Sequence, residues 1–158
     1  MITIDEFMTS EPYTLSENDS VDDARSIMTE KHIRHIPITD NDNRLLGLVS
    51  QRDILAVTGA ESASHGSDSG IRLADVMVRD VSAISKTDSL RRAAMYLQSH
   101  KYGCLPVISE DRLIGIITDS DFIDIAINLL EQVELMEEEM VMEGTLDDVD
   151  LPELEEGL

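Results

Sequence analysis

Two short phrases, GLVSQRD at residues 47–53 and GIITDSD at residues 115–121, place a hydroxyl residue three positions before an aspartate. The pairs are Ser50 with Asp53 and Thr118 with Asp121. That spacing suits two kinds of chemistry. In one, the hydroxyl caps a helix N-terminus and the carboxylate reaches back from the third helical position, so that orphan backbone N–H groups are satisfied. In the other, the same junction offers a hydroxyl, free N–H groups and a carboxylate to a ligand that carries a phosphate and a diol. The two phrases by themselves leave both readings open.

Either pair needs a strand that runs into a helix, and the chain writes that unit twice. Displacing the sequence by 69 residues lays Met8 on Met77, Val21 on Leu90, Ala24 on Ala93, Met28 on Leu97 and Pro37 on Pro106. At Gly47/Gly115 and Asp53/Asp121 the offset is 68, because PITDNDNRLLG is one residue longer than PVISEDRLIG. The extra residue falls in a polar turn, where hairpin length can change without disturbing the flanking strands. Each copy reads as an extended segment (PYTL or VSAI), then a helix started by Ser20 or Ser89 with apolar residues at helical spacing. Two strands follow, HIPIT with LLGLVS and CLPVIS with LIGIIT, and a second helix opens at the hydroxyl–aspartate phrase. The order is β-α-β-β-α, twice, which makes an α+β chain. Between the copies, GAESASHGSDSG at residues 59–70 reads as a flexible linker.

Composition narrows the partners. The chain of 158 residues carries 12 Lys+Arg against 33 Asp+Glu, a net charge of -21, which opposes nucleic acid and anionic membrane surfaces. Twelve of those acids, and no base, lie from Glu131 onward. One cysteine, Cys104, allows no intrachain disulfide and no four-thiolate zinc site, and it suits a reducing compartment. The acidic start MITIDEF is unlike a secretory signal, and no apolar run is long enough for a membrane span, so a cytoplasmic location is expected.

The repeated unit, with RHIPI and CLPVI ahead of GLVSQRD and GIITDSD, resembles the cystathionine β-synthase (CBS) domain over residues 3 to 128, and the whole chain resembles a stand-alone tandem pair. The resemblance implies two repeats packed through their sheets with pseudo-twofold symmetry, leaving two clefts for adenosine derivatives. It gives Asp53 and Asp121 the ribose hydroxyls, which suits a carboxylate because its two oxygens can accept both O–H groups. It gives Ser50 and Thr118 the ribose or phosphate, and the backbone near Tyr13 and Ser82 the adenine. Phosphate ligands in the family often come from the segment before the strand proline, which holds Arg34 and His35 in the first repeat but Gly103 and Cys104 in the second. Arg34 suits a forked phosphate contact. Only Lys101 stands near in the second repeat, so the clefts are expected to be inequivalent, with Arg34 and His35 serving the better one. The implied ligands are AMP, ADP or ATP with Mg²⁺, and S-adenosylmethionine is the cationic alternative. The resemblance also implies a homodimer and output through a protein partner or through assembly.

The residues offer no arrangement expected of an enzyme. Cys104 falls in a predicted buried strand, and GIITDSD lacks the second glycine and the lysine of a phosphate-binding P-loop. His32 and His35 lack a third metal ligand; His65 lies in the linker and His100 at a helix end. The expected domains are repeat 1 at 3–58, the linker at 59–70, repeat 2 at 71–128, a helical extension at 129–143 and an acidic, disordered tail at 144–158. In the run after Asp121 that leads through the extension, Phe122, Ile125, Leu129, Val133, Met136 and Met140 form one helical stripe for packing on the same domain or a dimer mate. A constitutive interaction module that acts through this helix, with vestigial clefts, is the other functional reading.

Overall fold

The computed structural model describes residues 2–59, 70–100 and 103–144. Lys101, His65, most of the linker and nearly all of the acidic tail lie outside the described residues. The chain forms two units, one ending at Asp121 and one starting at Phe122.

In the first unit, helix α1 (Val21–Lys31) begins where Ser20 Oγ accepts from Asp23 N–H at 3.1 Å and the Asp23 carboxylate accepts from Ser20 N–H at 3.3 Å. Strands β2 (His35–Thr39) and β3 (Leu45–Ser50) pair antiparallel, with His35 opposite Ser50, and lead into helix α2 (Gln51–Thr58). The second copy repeats this plan with β4 (Ile84–Ser85), α3 (Leu90–Ser99), β5 (Cys104–Ser109), β6 (Arg112–Thr118) and the start of α4 (Asp119–Met142). Ser89 caps α3, as Ser20 caps α1. The expected PYTL strand is reduced to a single bridge, Leu15 beside Ile38, while VSAI yields β4 beside β5.

The repeats exchange their opening segments. Strand β1 (Thr9–Ser10), from the first repeat, pairs with β6 of the second, Thr9 opposite Ile116. Reciprocally, Val78 of the second repeat bridges Leu48 in β3 through two backbone hydrogen bonds of 2.9 Å. Thr3 pairs with Ser89, and Arg72 pairs with Ser20. Leu73 and Met77 therefore sit in the core of the first repeat with Val21, Ala24, Met28, Ile36, Ile38, Val49 and Ile54. Each hairpin is completed by the other repeat, so the two copies share one fold.

This exchange explains the glycine that opens each phrase. A Cβ at Gly47 would stand 2.7 Å from the Val78 carbonyl oxygen, and one at Gly115 would stand 2.9 Å from that of Thr9. Only glycine lets the crossing backbones come so close. The longer polar turn of the first repeat also has a use: Asn43 Nδ2 donates to the Leu113 carbonyl at 2.7 Å, and its own carbonyl accepts from Leu113 N–H at 2.9 Å.

In the second unit, α4 continues without a break at residue 129, so the expected extension is the distal part of one 24-residue helix, about 36 Å long. Leu129, Val133, Met136 and Met140 of the expected stripe are all exposed on this chain. Among the described residues, no helix is long and apolar enough to cross a membrane.

Candidate nucleotide cleft

Both hydroxyl–aspartate pairs form helix caps. Asp53 Oδ2 accepts from Ser50 N–H at 2.9 Å and from Ser50 Oγ at 2.8 Å, while Ser50 Oγ accepts from Asp53 N–H at 3.1 Å. Asp121 Oδ2 makes the matching contacts to Thr118 N–H at 2.8 Å and Oγ1 at 3.2 Å. Capping therefore occupies one carboxylate oxygen. Among the described residues nothing donates to Oδ1 of either aspartate, which leaves that oxygen able to accept from a ligand.

The two junctions differ one residue further along. In the first repeat Gln51 N–H donates to the Arg34 carbonyl at 2.8 Å, and among the described residues nothing accepts from Arg52 N–H. In the second repeat Asp119 N–H donates to the Gly103 carbonyl at 3.1 Å, but Ser120 N–H is bound by Asp119 Oδ1 at 2.9 Å. One helix N-terminus is open to an anion, and the other is closed by its own carboxylate.

A cavity of about 530 Å³ opens at the first junction, large enough for a mononucleotide. It gathers Arg34, His35, Ser50 and Asp53 of the first repeat and Ser82 of the second. Thr118, Asp121 and Tyr13 do not line it. Tyr13 instead lies half exposed under the Lys31 ammonium, 5.6 Å from the ring centroid. Arg34 and Arg52 both line the cavity and, among the described residues, neither forms an ion pair, so two guanidinium groups are available to a phosphate.

Sequence reasoning overlooked several walls of this cavity. Asp80, Tyr96 and Asp119 line it beside Cys104. Burial pushes the Cys104 thiol up to about 12, with the Asp121 and Asp119 carboxylates adding to the effect, so the group stays protonated and is a poor nucleophile. The repeat alignment held a signal for two of the overlooked residues, because Tyr96 falls opposite Ile27 and Asp119 opposite Gln51. Among the described residues no His, Cys, Asp and Glu group could hold a metal ion.

Comparison with known proteins bears on the family and the fold. The CBS domain family profile matches residues 4–59 and 73–128. A homoserine O-acetyltransferase of Methanococcus vannielii is 30% identical over 111 residues, 70% of this chain but 22% of that enzyme, so the chain spans about a fifth of the curated relatives of this kind. Among solved structures, an acetoin utilization protein, AcuB, from Vibrio cholerae is 46% identical with a TM-score of 0.76, covering 85% of this chain and 98% of that one. CBSX2, from Arabidopsis thaliana, in complex with AMP is 28% identical with a TM-score of 0.70, covering 82% and 98%. With two matched copies spanning most of its length, and with solved CBS-pair structures as its likeness, the chain belongs to the CBS domain family as a tandem pair.

Proposed function

We propose that the chain is a regulatory module, not a catalyst, that holds one adenosine nucleotide of the AMP or ADP class in the cleft at the start of α2. One observation carries the reading: the open N-terminus of α2 shares its cavity with Arg34 and Arg52, two guanidinium groups with no ion pair among the described residues, and with the spare Asp53 Oδ1. Phosphate suits the first two and a ribose diol the third. Ser50 and Ser82 face the same space, and His35 adds a second group near the phosphate end. The related CBSX2 structure with AMP supports the choice of ligand. Thr118, Asp121 and Tyr13 are proposed for the second cleft, where the closed helix terminus makes phosphate binding weaker. The module works in the cytoplasm, with repeat boundaries at 3–58 and 71–128 and a linker at 59–70. Native mass spectrometry of the freshly purified chain titrated with AMP tests the reading: a single retained nucleotide per chain supports it, and no adduct at millimolar AMP overturns it.

The exposed apolar residues of α4 support a second, compatible element, in which occupancy is relayed through a homodimer. Leu129, Val133, Met136 and Met140 then lie in the dimer contact. Sedimentation checks this: a dimer that is weakened by Val133→Ser with Met136→Ser is expected, and a monomer at every concentration would sink it.

A further inference from the structure

Tyr96 lines the cleft from α3 and, among the described residues, is the only Phe or Tyr that does so. The chain has three tyrosines, two phenylalanines and no tryptophan, so an aromatic ring in this wall is a scarce resource spent on one place. The ring is braced by a residue that is not part of the cavity lining. His100, one turn further on, stacks against it with centroids 4.0 Å apart and planes 9° from parallel. His100 Nδ1 in turn lies 2.9 Å from Ser99 Oγ and 3.1 Å from the Tyr96 carbonyl oxygen, which fixes the imidazole to the helix end. A backed ring has lost little freedom still to lose, so a second planar group can stack on its other face at small entropic expense. Leu97, Val78, Val81 and Leu48 give the cavity an apolar part of its lining, whereas Arg34, Arg52 and Ser50 belong to the segments that meet at the α2 terminus. In the other repeat the matching position is Ile27, which offers no π face.

We propose that Tyr96, braced by His100, is the stacking wall for the planar base of the ligand, and that it confers on this cleft a preference for nucleotides over base-free sugar phosphates. The inference rests on the nucleotide reading above and adds the end of the ligand that the phosphate-binding residues do not touch. Base–aromatic stacking tolerates any base, so Tyr96 selects the presence of a ring, not its identity.

Calorimetry and tyrosine emission with AMP and with ribose 5-phosphate test it, on the wild-type chain and on Tyr96→Leu and Tyr96→Phe. AMP affinity should fall about tenfold in Tyr96→Leu and stay within about twofold in Tyr96→Phe, while ribose 5-phosphate affinity is the same in all three. With no tryptophan to mask it, tyrosine emission should be quenched by AMP, not by ribose 5-phosphate, and the quenching should be lost in Tyr96→Leu. Retained ribose 5-phosphate binding shows that the variant is folded. Equal AMP affinity in Tyr96→Leu and wild type overturns the stacking wall and leaves the nucleotide reading standing. Failure of the wild-type chain to bind AMP overturns both.

Discussion

The junction of β3 with α2 and the junction of β6 with α4 are two copies of one design, and they differ in what they leave free. Both are capped by a hydroxyl and an aspartate through the same oxygen, and both tie their first helical N–H to a carbonyl three residues before the strand proline. The first then presents Arg34, Arg52 and an N–H that no group among the described residues accepts. The second has Gly103 and Ser120 in those places, with its N–H turned over to Asp119. The two copies share the part of the phrase that builds the fold and differ in the part that stands at the cavity. A repeated motif is therefore evidence of repeated structure, and only the side chains between its fixed points decide whether the chemistry is repeated too.

Breaking the charged side of this comparison should have the largest effect. Arg34→Ala should weaken AMP binding by about 10- to 100-fold, the loss of a charge-assisted contact, with little change in melting temperature because the side chain is exposed. Calorimetry that returns the wild-type affinity would remove Arg34 from the site. The shared architecture is tested next by Gly47→Ala, whose added methyl meets the Val78 carbonyl; a destabilisation of about 1–3 kcal/mol is expected in urea titration. An unchanged midpoint would mean that the crossing segment gives way freely.

Cys104 sharpens the contrast with its counterpart His35. The folded thiol holds its proton to about pH 12, whereas the unfolded one releases it near 9.0, so unfolding frees a proton within that window. Stability from this group is intact below pH 9 and is lost as pH rises toward 12, at about 1.4 kcal/mol per pH unit. Urea midpoints at pH 8 and pH 10 should fall further apart in wild type than in Cys104→Ala; equal slopes would show that the thiol ionises normally. The smallest effect separates cap from ligand contact. Asp53→Ala and Asp121→Ala should each reduce stability by about 1 kcal/mol, but only Asp53→Ala should also weaken AMP. Loss of AMP affinity in Asp121→Ala alone would assign the nucleotide to the other cleft.

Much of this was legible in the residues. The period of 69, the serine caps and the paired strands followed from spacing, because those signals act over a few neighbouring positions. The exchange of opening segments was not, since Thr9 pairs with Ile116 and Val78 with Leu48 from one repeat to the other, and no local pattern records a partner that distant. Gly47 and Gly115 were visible as part of the phrase, but the backbones that require them were not. Within the cleft, Arg34, His35, Ser50, Asp53 and Ser82 were named from sequence and are brought to one cavity, while Thr118, Asp121 and Tyr13 lie outside its lining. Tyr96 was passed over because its helical position reads as ordinary packing. The closed N-terminus at Ser120 depends on one rotamer of Asp119, which no sequence pattern specifies.

The central claim is that one fold written twice makes one phosphate-binding cleft, and stoichiometry tests it most directly. Calorimetric titration of AMP into the wild-type chain at moderate salt should saturate at one nucleotide per chain. Two equivalent sites per chain would contradict it, because the difference between Arg52 and Ser120 would then carry no functional weight.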